Sequence, residues 1–228
     1  MGVSAAEVRA YRHGLYERGT LAGDDGEVPV LPHGLPRGDS DAIAALAAAE
    51  GASTTLEVGA GVGVGTLAMC EALLAGPGGG DHTVVDPYAF GGDVAMHALR
   101  AAGVEGMVTR LREPSQLALP RMVGEGRRFD LILVDGGHRF DDVFLDLVYA
   151  DRLLEPGHVV VIDDLWMPAI RAATSYIERN LGYALEPHAL PDGFRRRRWR
   201  RPAGRVAVLR KPETERERSW DDYQGFDA

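Results

Sequence analysis

Apolar residues recur along this chain in two rhythms. Short unbroken runs, clearest at Leu131-Ile132-Leu133-Val134 and Val159-Val160-Val161-Ile162, fit strands covered on both faces. Between them Val143, Leu147, Ala150 and Leu154 recur at helical spacing, and Pro156-Gly157 predicts the helix end. A strand, a helix and a strand in succession make a βαβ unit with parallel strands. The alternation reaches back through a strand at 55–58, a helix at 66–74, a strand at 83–85, a helix at 95–102, a strand at 108–111 and a short loop and helix at 115–122. It continues forward to a helix at 169–180. Two last strands, 183–190 and 205–209, are joined by a loop too short for a crossover and predict an antiparallel hairpin at a sheet edge. The expected fold is α/β, a doubly wound Rossmann-like sheet, mostly parallel with that C-terminal antiparallel edge hairpin.

Ahead of the alternation, residues 1–20 read as a partly amphipathic helix, with Val8, Tyr11, Leu15 and Tyr16 near one face. Residues 23–38 are rich in Gly and Pro and read as a linker, and Asp39-Ser40-Asp41 are placed to cap a helix at 42–50. The expected organisation is an N-terminal helical arm or lid at 1–40, a core at 41–212 and a charged tail at 213–228.

Composition narrows the classes. A chain of 228 residues with 45% hydrophobic content is long enough to bury a core. No apolar run spans a bilayer and residues 1–20 carry charge throughout, so neither a membrane protein nor a secretory leader is expected. The single cysteine, Cys70, excludes an internal disulfide and fits a cytoplasmic location. A net charge of −9 argues against a general nucleic-acid binder. Lys211 is the only lysine, which disfavours lysine chemistry.

The candidate chemistry sits at strand ends. The run at 131–134 stops at Asp135 and the run at 159–162 stops at Asp163-Asp164. Parallel strands bring their carboxyl ends to one edge, where open α/β sheets bind ligands. Three converging carboxylates repel one another, and a divalent cation relieves the conflict; all-oxygen ligation suits Mg²⁺, Mn²⁺ or Ca²⁺. His138 follows three residues after Asp135. After the first core strand stands Glu57-Val-Gly59-Ala-Gly61-Val-Gly63. Val64 and Thr66 occupy the positions where a dinucleotide fingerprint needs glycine, and no P-loop is present. An acid two residues before a glycine turn suits an ammonium group, and a helix N-terminus suits a carboxylate; S-adenosylmethionine carries both. Asp86, ending the next strand, is placed to accept hydrogen bonds from ribose hydroxyls, or to form a turn before Pro87.

With LEVGAGVGVGTL, VVDPY, PSQLALP, VDGGH and VVIDDLW, the chain resembles class I S-adenosylmethionine-dependent methyltransferases from about Thr55 to Leu209. More narrowly, it resembles the metal-dependent O-methyltransferases of the catechol and macrocin O-methyltransferase-like bacterial tailoring types. Trp220-Asp221-Asp222 is similar to a tail element of some bacterial members. The resemblance implies that Glu57, Gly59, Ala60, Gly61 and Gly63 hold the methionine end of the cofactor and Asp86 the ribose. It places Ser115-Gln116 at the adenine, and Asp135 beside the cofactor. It also implies Asp135, Asp163 and Asp164 as ligands of Mg²⁺, and His138 as the base in some sugar-modifying relatives. Where other relatives carry an Asp as base, this chain has Gly137. Relatives of this kind often form oligomers.

The expected reaction is in-line methyl transfer from the sulfonium to a hydroxyl of a small molecule with adjacent oxygens, a catechol or a sugar diol of a natural product. His138 would take the proton, or orient an Asp ligand. Two alternatives stand beside it. FRRRRWRR at 194–201 is a basic cluster around Trp199, as an RNA methyltransferase would use. A non-catalytic cofactor- and metal-binding accessory protein would keep the same acids.

Overall fold

The computed structural model describes residues 2–88, 90–186, 205–214, 217 and 219–225. The chain divides into two compact units, Met1–Pro114 and Ser115–Ala228. Among the described residues each unit carries strands of a mostly parallel sheet, and the first unit also holds a separate two-stranded hairpin near the N-terminus.

The first unit runs α1 (Ala5–Arg18), β1 (Thr20–Gly23), β2 (Gly26–Pro29), α2 (Arg37–Ala49), β3 (Thr54–Val58), α3 (Val64–Ala75), β4 (Asp81–Val85), α4 (Phe90–Ala101) and β5 (Val108–Leu111). Strands β3, β4 and β5 are parallel in the order β5-β4-β3, with Leu56 opposite Thr83 and Val84 opposite Arg110. The expected alternation is therefore present. Helix α3 is buried on every side from Val64 to Leu73, as its nearly unbroken apolar sequence requires. Its one charge, Glu71, accepts from Arg12 Nη2 at 2.7 Å and Arg9 Nε at 2.6 Å. Each large apolar side chain fully buried here contributes about 1.5–3 kcal/mol. Cys70 is fully buried among them, and burial pushes its thiol up to about 12, which makes it a core residue without nucleophilic character.

Two local expectations fail in this unit. The Gly/Pro-rich stretch contains the β1–β2 hairpin, with Leu21 opposite Val28. Helix α2 starts at Arg37, after Pro36, so Asp39, Ser40 and Asp41 lie within it rather than capping it. The cause is long-range: the fully buried Arg12 of α1 bonds Ser40 Oγ at 2.5 Å and Asp41 Oδ1 at 2.9 Å. Those side chains face a cation, not the helix amides.

The second unit runs α5 (Ser115–Gly124), β6 (Phe129–Val134), α6 (Phe140–Leu153), β7 (Leu154–Ile162), α7 (Pro168–Asn180), β8 (Ala184–Leu185) and β9 (Ala207–Arg210). Its strands are ordered β6-β7-β9-β8. Strands β6 and β7 are parallel with Ile132 opposite Val160, and β9 is antiparallel to both β7 and β8. The expected edge hairpin is thus present in sense, with β8 cut to two described residues. The arginine-rich stretch at 194–201 and the strand residues expected at 187–190 lie outside the described residues.

Pro156-Gly157 do not end α6 as expected. The helix closes at Leu153, the chain enters β7 at once, and the pair forms an irregularity where the register slips between Phe129 and Leu131. Lys211 stabilises this corner: its buried ammonium donates to the Asp151 and Leu154 carbonyls at 2.5 and 3.0 Å, at the negative end of the helix dipole. The tail also has a fixed attachment. Asn180 Nδ2 donates to Gln224 O at 3.0 Å while Gln224 N donates to Asn180 Oδ1 at 2.8 Å. No described helix is long and apolar enough to cross a membrane.

A candidate cofactor cradle and a candidate acid–imidazole centre

In the first unit, the chain leaves β3 through a turn that only glycine adopts readily. Gly59, Gly61 and Gly63 have φ of +91°, +51° and +86°. Space forbids side chains there as well. A Cβ on Gly61 would lie 2.9 Å from His33 O, and one on Gly63 would lie 3.0 Å from Ala95 Cα. Gly63 then begins α3 without a side-chain cap, so no side chain claims the first helical amides.

Asp86 closes this turn. Its Oδ2 accepts from Ala60 N at 2.8 Å and its Oδ1 from Tyr88 N at 2.8 Å. Both carboxylate oxygens already hold backbone, so the residue ties the glycine turn to the end of β4. Ribose hydroxyls would have to share those oxygens. Glu57 is buried, and its Oε2 accepts from Thr66 Oγ1 at 2.6 Å and pairs with His82 Nε2 at 3.0 Å. His82 Nδ1 in turn faces Thr55 Oγ1 at 2.7 Å. This row fixes the carboxylate's rotamer and loads one of its two oxygens.

Residues 23–35 flank the turn, which the sequence did not indicate. Cβ atoms on Gly34 and Gly23 would clash with Val62 Cγ2 at 2.6 Å and Gly91 O at 2.1 Å. The His33 and Phe90 rings pack at 4.8 Å, and Asp24 N donates to Gly92 O at 3.0 Å. Gly91, Gly92 and Asp93 are all left-handed at the start of α4.

In the second unit, Ser115 and Gln116 open α5 beside the start of α6. Gln116 Nε2 donates to Asp142 Oδ1 at 2.9 Å. The second glycine of VDGGH is explained here: a Cβ on Gly137 would fall 2.6 Å from Asp142 Cβ. One turn further along α6, Asp146 is 1% exposed and neither carboxylate oxygen has a hydrogen-bond donor in geometry. Burial pushes its carboxyl up to about 6, which the nearby Ser115 hydroxyl opposes and Asp142 reinforces.

The acids at the ends of β6 and β7 form a denser centre. Asp163 N donates to Val134 O at 3.1 Å, which extends the β6–β7 ladder to the first acid. Asp164 turns out of it at φ +58°, an uncommon conformation for a residue with a side chain. Arg205, just before β9, lies on both acids. Its Nε donates to Asp163 Oδ1 and Oδ2 at 2.9 Å each, and its Nη2 reaches Asp163 Oδ2 at 2.8 Å and Asp164 Oδ1 at 3.1 Å. Trp166 Nε1 donates to Asp164 Oδ1 at 2.8 Å, and His138 Nε2 lies 2.9 Å from Asp164 Oδ2.

The donor atoms that converge are those of Asp135, His138 and Asp164, one each and all within 4.8 Å of one another, with Asp163 of the expected trio engaged by Arg205. Burial raises the Asp163 carboxyl above its ordinary range, with Arg205 opposing. Burial also pushes Asp164 upward, but hydrogen bonds from His138 and Trp166 and the Arg205 charge outweigh it and leave its pKa lowered. The His138 imidazole is raised, chiefly by its hydrogen bond to Asp164. The three acids and Arg205 sum to a formal charge of −2 (three negative, one positive), which fits a divalent ion in charge as the donors fit one in type. Arg205 was not foreseen; it lies 42 residues from Asp163 in sequence.

Residues 56–165 match the methyltransferase domain family. In this segment the chain is similar to methyltransferase domains. No curated protein matches the chain by sequence. Among solved structures, an O-methyltransferase from Klebsiella pneumoniae, described as putative, is 18% identical with a TM-score of 0.62, the match covering 91% of this chain and 89% of that one. TomG, an O-methyltransferase of Streptomyces achromogenes involved in tomaymycin synthesis and solved with S-adenosylmethionine, is 17% identical with a TM-score of 0.62, covering 90% and 89%. A Bacillus cereus O-methyltransferase solved with S-adenosylhomocysteine is 14% identical with a TM-score of 0.62, covering 90% and 91%. At these identities the likeness establishes a shared methyltransferase fold.

Proposed function

We propose that the protein is an S-adenosylmethionine-dependent O-methyltransferase whose acceptor is a small molecule with two adjacent oxygens, such as a catechol or a sugar diol of a natural product. The observation that carries the acceptor chemistry is the convergence of Asp135, His138 and Asp164 at the ends of β6 and β7. The glycine turn, with its uncapped helix and buried Glu57, supports the cofactor assignment.

S-adenosylmethionine supplies a methyl group already activated on a sulfonium, so the protein has mainly to position the acceptor and remove its proton. Glu57, through the oxygen that Thr66 and His82 leave open, would hold the ammonium, and the turn at Gly59–Gly63 the carboxylate. Asp135 and Asp164 would hold Mg²⁺ or Mn²⁺, which when bound lowers the pKa of a hydroxyl beside it. Asp164 orients His138 through Nε2, so Nδ1 takes the hydroxyl proton. Trp166 and Arg205 keep Asp164 in place for that task. A cytoplasmic site of action and a homo-oligomer are part of the same proposal.

Calorimetric titration of S-adenosylmethionine and of Mg²⁺ on the wild type and on Asp164→Asn tests it. Cofactor binding in both, with weaker Mg²⁺ binding in the variant, is the expected result. Absence of cofactor binding in the wild type would end the methyltransferase assignment, and cofactor binding without any Mg²⁺ binding would remove the ion from the mechanism.

A further inference from the structure

We infer that Arg205 is a resident counter-cation of the acid centre: it withholds Asp163 from any metal ion and competes with a divalent ion for Asp164, so that its position sets how tightly the ion is held. The inference rests on the cation site proposed above. The Asp163 side chain is wholly buried and its two oxygens face Arg205 Nε at equal distances, with Nη2 closing a second bond. An ion approaching a carboxylate engaged in this way must share its lone pairs with the guanidinium and meet that positive charge at close range. The contact of Nη2 with Asp164 Oδ1 is longer, 3.1 Å, and Asp164 is shared with Trp166 and His138. That contact is the one an ion at Asp164 would displace.

The backbone around Arg205 is held on both sides. Leu165 N donates to Arg205 O at 2.8 Å, and Ala207 is registered opposite Ile162 in the β7–β9 pair. Adjustment at the centre is therefore by rotation of the guanidinium, whose side chain is 30% exposed, and not by movement of the strand. A unit positive charge a few ångströms from a divalent ion repels it strongly even at an effective dielectric near that of a protein surface. The arrangement exchanges affinity for a neutralised centre: with Arg205 in place, the acids keep their geometry without an ion, and the ion is bound more weakly than three free carboxylates would bind it.

The test is Mn²⁺ binding to the full-length protein, followed by the electron paramagnetic resonance signal of free Mn²⁺. It is run on the wild type, Arg205→Gln, Arg205→Lys and Asp135→Asn, with thermal melting to confirm folding. Arg205→Gln should bind Mn²⁺ at least about tenfold more tightly than the wild type. Arg205→Lys, which keeps the charge, should stay near the wild type, and Asp135→Asn should bind more weakly. If Asp135→Asn weakens binding while Arg205→Gln does not tighten it, the cation site stands and the role of Arg205 is overturned. If Arg205→Lys tightens binding as much as Arg205→Gln, charge is not the cause and the inference also falls. If no protein binds Mn²⁺, the inference and the cation site fall together.

Discussion

His138 Nε2 lies 2.9 Å from Asp164 Oδ2, and the bond directs the other ring nitrogen, Nδ1, away from the acid. A His oriented by an Asp is the arrangement a general base needs: the carboxylate fixes the tautomer and stabilises the imidazolium that forms. Substituting His138→Ala should lower kcat about 10²–10³-fold, within the range for loss of a general base. Mn²⁺ affinity, measured alongside, should fall far less than kcat. A fall in Mn²⁺ affinity that matched the fall in kcat would assign the imidazole to the ion instead.

Asp146 gives a pH signature separate from catalysis. Its folded pKa of about 6 lies above its ordinary value of 3.8, because burial penalises the charged form. Below about pH 4 the carboxyl is protonated in both folded and unfolded chains and contributes nothing. Between about pH 4 and 6 the folded chain binds a proton that the unfolded chain releases, so stability falls as pH rises. Above about pH 6 the full cost is present, on the order of 2–3 kcal/mol. Asp146→Asn should therefore be more stable than the wild type at pH 7.5 in urea denaturation, and the difference should vanish near pH 4. An equal difference at both pH values would show that the charge is not responsible.

The acid centre was half legible in the sequence, and the reasons are local. Apolar runs at 131–134 and 159–162 that stop abruptly at acids identify β6, β7 and their ligand edge, because a strand buried on both faces tolerates no carboxylate until it ends. Spacing cannot reveal a partner from a distant strand, so the pairing of Arg205 with Asp163 is invisible in the sequence. The same limit hid Arg12 from the expected cap at Asp39-Ser40-Asp41. The β1–β2 hairpin was missed for a different reason. Gly and Pro near it read as a linker, while its strands are only four residues each. The glycine turn was legible because its spacing excluded other folds, but the engagement of both Asp86 oxygens by Ala60 N and Tyr88 N depends on how β3 and β4 sit side by side.

The glycine turn should respond to a methyl group in a position-dependent way. Gly61→Ala places a side chain at φ +51° and 2.9 Å from His33 O, whereas Gly51, at φ +65°, has nothing within 4 Å. Both variants carry the backbone strain of about 1 kcal/mol that a left-handed Ala incurs. Only Gly61→Ala must also move backbone. Its melting temperature should fall further than that of Gly51→Ala, and it should weaken S-adenosylhomocysteine binding while Gly51→Ala does not. Equal losses would mean that residues 31–35 yield freely to the turn.

The buried ion network of the first unit should be costly to break and cheap to replace. Arg12 is fully buried between Glu71, Asp41 and Ser40, and its Nε has no hydrogen-bond partner. Glu71→Ala leaves that guanidinium with one partly exposed carboxylate and should cost about 3–5 kcal/mol. The double variant Arg12→Met, Glu71→Leu removes both charges and should recover much of the loss in urea denaturation. A double variant as unstable as Glu71→Ala would show that the network fixes the geometry of α1, α2 and α3 beyond its charge balance.

His82 offers a test of how Glu57 is aimed. The imidazole and Thr66 both bond Oε2 of Glu57, and no described residue bonds Oε1, which the proposed function gives to the cofactor's ammonium. Replacing His82→Phe keeps a ring of similar size in the sheet but removes the bond, so the carboxylate can rotate and its second oxygen loses its direction. The expected result is weaker binding of S-adenosylmethionine with little change for 5′-methylthioadenosine, which lacks the amino-acid end and so does not need Glu57. Loss of both ligands together would indicate damage to the β3–β4 pair, and loss of neither would place the ammonium elsewhere. Comparison of the two ligands by calorimetry on one variant thus separates a positioning role for His82 from a purely structural one.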